Sequence, residues 1–311
     1  MADDDCGESL EEKPYRAPLI PERYPKTLIA ERYPPGRVAP EPFGPISAGI
    51  FASLQEVVNR AAGEALVDRQ VLHVDYVEGV VPEGGDREPD QGAAVALASG
   101  VVSLPLRNPD TACARLLQKT FALSCTTLDY LERCPAKADT GTVATAARDL
   151  ARAETNEVFG ILAEHAGDHK VTGDTELASA LAAVAELQAE GFGCDLAVVF
   201  GGAAGGNLWR VAEGPGDAEL LARLERNARA GLFVAPGLKA IGLAIAPCRD
   251  TIHVQVARNF RLRWLASTGL AETFAVDVGF RVIVSDPTAL RVLGKAAPGQ
   301  GAKPRRPSSA T

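Results

Sequence analysis

One methionine, two tryptophans and four histidines in 311 residues leave little material for a haem or metal centre. No run of about 18 apolar residues exists, so no transmembrane helix is expected. The six cysteines, Cys6, Cys113, Cys125, Cys134, Cys194 and Cys248, include no Cys-x-x-Cys pair. That excludes the usual zinc-ribbon and thioredoxin patterns and points to reduced thiols in a cytosol. Positive charge is also in short supply. Lys and Arg number 32 against 40 Asp and Glu, for a formal charge of -8, which argues against a dedicated nucleic-acid binder. The N-terminal stretch MADDDCGESLEE lacks the basic and then apolar build of a secretory signal.

Catalytic patterns are missing as well. GGAAGG, residues 201–206, follows an apolar run but does not have dinucleotide-loop spacing, so a mobile surface loop is expected there. His165 and His169 are four apart beside Glu164 and Asp168, but Gly160, Gly167 and the lack of a third ligand favour a solvated turn over a metal site. His253 alternates within an apolar strand and reads as a sheet residue. Cys134 precedes Pro135 with no base at fixed spacing, and no Gly-x-Ser-x-Gly elbow exists. The residues therefore indicate no catalytic site, no metal and no cofactor.

What is present is a globular composition, 46% hydrophobic and 23% charged, in a length suited to one large domain or two ordinary ones. Residues 1–44 form an arm containing Pro14, Pro18, Pro21, Pro25, Pro34, Pro35, Pro40 and Pro42, where neither helix nor central strand is expected. A short repeat, Glu22-Arg23-Tyr24-Pro25 and Glu31-Arg32-Tyr33-Pro34, lies within it. Two readings stand: a disordered tail, or an extended arm crossing a neighbouring subunit, which Tyr15, Tyr24 and Tyr33 favour. Residues 294–311 read as a flexible basic tail.

Between these ends the periodicity gives an ordered series. Ile50, Leu54, Val57, Val58 and Ala61 place one apolar stripe on a helix over 46–66. VLHVDYV (71–77) alternates as a strand, and 82–92 is a Gly, Pro and charge-rich loop. Residues 93–106 are extended. A β-prone run opens 121–131, and a long helix spans 142–159. Asp174 is the expected N-cap of a helix over 175–189 that stops at Gly191. DLAVVF (195–200) is a buried strand, and a third helix opens at Asp217. Five strand-like runs follow, including TIHVQVA and FRLRWLA. Asp286-Pro287 opens a closing turn, TALRVL. A long protruding loop and a terminal arm make sense when neighbours cover them, since exposed strand edges otherwise pair without control.

From Pro45 onward the chain resembles an encapsulin, a nanocompartment shell protein with the Hong Kong-97-type phage capsid fold. Residues 44–79 resemble the family's opening helix and following strand, with Arg69, Val74 and Gly79 on pattern positions. FALSCTTLDYLER (121–133) matches at Phe121, Leu123, Leu128, Asp129, Glu132 and Arg133. AARDLARAETNEVFGI (146–161) resembles the spine helix, and GFGCDLAVVF (191–200) the strand entry after it. FAVDVGFRVIVSDPTALRVL (274–293) resembles the closing segment. Thr155 stands where the family has Asp after Glu154, Cys134 stands for a glycine, and the arm is longer than usual.

The resemblance implies an α+β fold of that capsid type. It would comprise an N-terminal helix and first strand (45–77), an E-loop (78–106), a P-domain with its spine helix (107–160), an A-domain (161–259), P-domain return strands (260–293) and the tail. It implies a homo-oligomeric icosahedral shell and no enzymatic activity. It also implies a cytoplasmic nanocompartment holding a cargo protein through a targeting peptide, with no nucleic acid and no membrane. The cargo groove would involve Ile50, Phe51, Leu54 and Val58 with Phe274, Val276 and Phe280, unless these side chains are ordinary core. Glu213 and Asp217 would form an acidic pore rim. A prophage major capsid protein packaging DNA is the alternative on the same fold, and a soluble α/β enzyme the alternative outside it.

Overall fold

Ser47 sets the start of the first helix: its hydroxyl accepts a hydrogen bond from the Ile50 amide at 3.3 Å, satisfying one of the orphan N–H groups of a helix start. This helix, α1 (Ala48–Ala65), buries Ile50, Leu54, Val58, Ala61 and Ala62, the expected stripe except that Val57 is half-buried and Ala62 joins it. A short helix α2 (Asp68–Val71) precedes β1 (His73–Tyr76), so the expected strand over 71–77 is shortened at its start. The computed structural model describes residues 46–77, 95–96, 100–104, 115–134, 138–167, 169–193, 195–202, 204–205 and 215–295. The arm, most of the expected E-loop, Glu213 and the C-terminal tail beyond Lys295 lie outside the described residues.

The six-stranded sheet has the order β1, β9 (Ile252–Ser267), β10 (Ala271–Val284), β4 (Arg115–Ser124), β3 (Val102–Leu104) and β2 (Val95–Ala96). All its pairs are antiparallel except β1 with β9. Strand β10 is buried at every position from Phe274 to Phe280. Phe274, Val276, Val278 and Phe280 recur at a period of two and share one face.

Strand β9 joins the two runs TIHVQVA and FRLRWLA into one element and crosses the 259/260 position, where a change of segment was expected. Three register shifts against β10 absorb its extra residues as bulges, which let one long strand bend without breaking. At one bulge Arg258 and Arg263 both reach the buried Asp277, at 2.6 and 3.2 Å.

Helix α3 (Cys125–Arg133) follows β4 directly, capped by Ser124. Helix α4 (Gly141–Ala166) is the long spine. It continues through Gly160, past the expected end at 159. His165 is therefore helical rather than in a turn, and its Nδ1 donates to the Ile161 carbonyl at 2.9 Å. Ala146, Ala147, Ala151 and Ala153 are buried along α4. These small side chains let it pack closely against α1 as well as against β4 and β10.

The second sheet has the order β5 (Lys170–Gly173), β11 (Leu290–Lys295), β8 (Gly242–Ile245), β6 (Ala197–Gly201) and β7 (Gly231–Ala235). Helix α5 (Glu176–Ala189) packs against it, and α6 (Pro215–Asn227) packs on α5. Thr175, not Asp174, caps α5 by accepting from the Ala178 amide. The closing TALRVL also departs from expectation: only Pro287–Ala289 make a 3-10 turn, capped by Asp286, before the chain becomes β11. Leu290 and Leu293 are buried there, so sheet pairing overrides local turn preference.

The glycine run at 201–206 is not a loose surface loop over its described part. Gly201 is buried, and a side chain there would strike the Ala240 carbonyl. Glycine thus permits close backbone approach at the end of β6.

Candidate functional site

The expected groove residues lie where the apolar stripe of α1 and the inner face of β10 meet the spine helix. Leu54, Val58, Phe274, Val276 and Phe280 are all 0% exposed and Ile50 is 9% exposed. They belong to one hydrophobic cluster within this chain. A 3.6-residue stripe shows that a helix face is buried, not whose surface buries it. Phe51 is the exception, half-buried at the rim of that cluster. Asp217 sits in the first turn of α6.

Helix α1 is tied to β9 beyond the reach of β1. Strand β1 pairs with β9 only over His253–Val256, and the Val77 amide adds one bond to the Val256 carbonyl. Past that point the Gln55 amide takes the place of a strand neighbour. Its Oε1 accepts from the Leu262 amide at 2.8 Å, and its Nε2 donates to the Phe260 carbonyl at 3.0 Å. Among the described residues no strand pairs with this edge of β9 beyond Val256. The half-buried Phe51 is thus carried on the helix that joins this edge through Gln55. A shallow cavity of about 320 Å³ lies elsewhere, between β4 and the first turns of α4, lined by Lys119, Phe121, Thr142, Thr145, Ala146 and Asp149.

The junction stands on a buried charge cluster that sequence reasoning missed. Arg69 of α2 donates to both carboxylate oxygens of Glu154 on α4, at 2.8 and 3.1 Å. It also donates to Asn259 Oδ1 of β9 at 2.9 Å, and its guanidinium lies over the Phe260 ring at 5.3 Å. Thr155 donates to Asp68 Oδ1 at 2.7 Å and accepts from the Val67 amide at 3.3 Å. One arginine therefore pins the N-terminal helices, the spine and β9 together through bidentate, charge-assisted bonds. Arg69 and Glu154 are 85 residues apart in sequence, so no local spacing could reveal the pair. The signal that could have pointed to them was the Arg69 and Glu154-Thr155 positions in the resemblance itself.

Burial is the chief cause of the titration behaviour here. It pushes Glu154 up to about 7, with Arg69 opposing and Asp68 reinforcing the rise. Burial likewise raises Asp68, against Arg69 and the Thr155 hydrogen bond. In the unfolded chain Glu154 titrates near its ordinary 4.5. The folded chain holds the extra proton between those values. This contribution to stability is therefore complete below pH 4.5 and is lost as pH rises through about 7. Glu154→Gln is expected to flatten the fall in melting temperature between pH 5 and pH 8. Equal slopes in variant and parent would contradict this assignment.

Among the described residues no group of three or more His, Cys, Asp or Glu side chains is placed to hold a metal ion. No described helix is long and apolar enough to cross a membrane. Among the described residues the geometry offers tight packing and a braced helix–strand junction. Such an arrangement can bind and assemble.

Comparison with known proteins agrees with this reading. Residues 40–277 match the Linocin M18 family, described as encapsulating protein for peroxidase. No curated protein sequence matches the chain significantly. Among solved structures, the virus-like particle from Pyrococcus furiosus superposes with a TM-score of 0.58 at 17% identity, covering 78% of this chain and 99% of that one. The SrpI encapsulin complex from Synechococcus elongatus gives 0.42 at 11% identity, covering 72% and 85%. The Cyanophage P-SCSP1u capsid gives 0.44 at 9% identity, covering 75% and 88%. The first of these establishes the capsid-like α+β fold, and the match over more than half of the sequence places the chain in the encapsulating-protein family, the encapsulin shell proteins.

Proposed function

We propose that copies of this chain close into an icosahedral shell in the cytoplasm and enclose a cargo enzyme held by a targeting peptide. The observation that carries this reading is the family match across residues 40–277, supported by a fold of capsid type. Peroxidase chemistry is the cargo class that the family description suggests. In this scheme the P-domain would be built on the six-stranded sheet with α4 and the A-domain on the five-stranded sheet with α5 and α6, with β9 crossing the expected 259/260 bound and β11 joining the A-domain sheet. The peptide would lie beside α1 along the edge of β9 past Leu262, where no described strand pairs with it, with Phe51 as an apolar anchor. An extended segment there gains backbone hydrogen bonds from the edge and specificity from the anchor. Asp217 would contribute to a pore rim together with Glu213.

Size-exclusion chromatography of the purified protein tests the assembly. A closed shell elutes at the void of a column that resolves ordinary enzymes. Elution near the chain mass of 32.6 kDa would contradict it.

A further inference from the structure

The glycine run at 201–206 packs on one segment of the chain. The Gly201 amide donates to the Ile241 carbonyl at 2.8 Å, with its α-carbon against the Ala240 and Leu238 carbonyls. Gly202 lies against the Pro236 carbonyl and Gly205 against the Val234 side chain, and a methyl group at either would strike its neighbour. These three glycines therefore all press on 234–241, the end of β7 and the turn into β8. Packing this close transmits a displacement rather than absorbing it.

The same turn is bonded to the spine. Asn156 Oδ1 of α4 accepts from the Gly237 amide at 3.0 Å. A methyl group on Gly237 would overlap the Asn156 carboxamide, so the bond needs glycine at that position. Asn156 stands in a single turn of α4 whose side chains each hold another element. Glu154 and Thr155 hold Arg69 and Asp68 of α2, and Glu157 pairs with Arg115 of β4 at 3.1 Å. Asn156 adds the five-stranded sheet to that hub. Helix α4 also touches β7, β11 and the turn Pro287–Ala289, where Ala289, Leu290 and Leu293 are buried. Apolar packing of this kind is non-directional, and packed elements can slide on one another by small amounts. A hydrogen bond has a preferred direction and length, so it fixes the position that the packing leaves adjustable.

We infer that the joint made by Asn156, Gly237 and the glycine run sets the angle at which the five-stranded sheet stands on the spine helix, and through it the diameter of the closed shell. Symmetry repeats any change of that angle in every copy, so a small rotation within one chain becomes a different curvature of the whole. The inference rests on the shell reading and on its division of the wall between the two sheets, and it adds the residues that fix size.

The test compares particle diameters in negative stain for the parent, Asn156→Ala, Gly237→Ala and Asn156→Asp. The two alanine variants remove one bond from its two sides, while Asn156→Asp keeps an oxygen that accepts it. Gly237 is exposed and Asn156 half-buried, and a single hydrogen bond contributes little to net stability, so circular dichroism should show all three folded. Both alanine variants are expected to lose the parent's single diameter and to add a second size class, and Asn156→Asp to match the parent. Alanine variants that form only parent-sized shells, whatever their melting temperature, overturn the joint while leaving the shell reading intact. Alanine variants that never assemble overturn it too, because the bond is then a condition of assembly and not of size. A changed diameter in Asn156→Asp overturns the hydrogen bond as the cause. A parent protein that forms no shells overturns both readings.

Discussion

Arg69→Met is expected to destabilise the chain by about 3–5 kcal/mol, the usual cost of removing one partner from a buried ion pair. The substitution leaves Glu154 and Asp68, both 0% exposed, without their only described cation, and leaves Asn259 Oδ1 without the guanidinium bond. Domains of this kind hold only about 5–15 kcal/mol in total. The variant should therefore show a much lower melting temperature and little soluble assembly. Arg69→Lys keeps the charge but loses the two-pronged contact with Glu154 and the simultaneous reach to Asn259, so an intermediate loss is expected. Adding Glu154→Gln to Arg69→Met should recover part of the stability, because one of the stranded acids is then neutral. Thermal unfolding of the three variants checks this. A parent-like melt for Arg69→Met would show that the cluster does not hold the N-terminal helices to the spine.

Leu54→Asp and Phe51→Asp should separate core from groove on a single helix. Leu54 is 0% exposed, and an aspartate there must either carry its charge into the apolar cluster or break the packing of α1 on α4. Loss of the leucine alone forfeits roughly 1.5–3 kcal/mol of burial, and the buried carboxylate adds to that. Insoluble protein is the expected result. Phe51 is half-buried at the rim, so Phe51→Asp should leave soluble shells that no longer retain cargo. Soluble expression of Leu54→Asp at parent levels would contradict its place in the core. Phe51→Asp shells with undiminished cargo would move the peptide site away from α1.

The two helices behind these predictions were legible in the sequence to different depths. The periodicity of Ile50, Leu54, Val58 and Ala61 places α1 and its buried face, and Val143, Ala146, Ala147, Leu150, Ala151 and Val158 on one side place the spine. Neither says that the two faces bury each other within one chain. That ambiguity is why core residues entered the expected groove. The long β9 read as two runs because Arg258 and Asn259 interrupt its apolar alternation. Their partners, Asp277 and Arg69, lie on other elements, so the interruption makes physical sense only after folding. β11 was hidden for a related reason. Asp286-Pro287 is a strong helix-start signal, but β8 and β5 offer Leu290–Lys295 two hydrogen-bonding edges, and pairing outweighs a single turn of helix. Gly201 looked like a loop residue because glycine serves both mobility and close approach, and sequence does not distinguish the two uses.

The shell itself is tested most directly by negative-stain electron microscopy of the purified, cargo-free protein in dilute neutral buffer. Closed round particles of uniform diameter are the predicted result. A field of small, separate molecules, with or without added cargo partner, would contradict the account at its foundation.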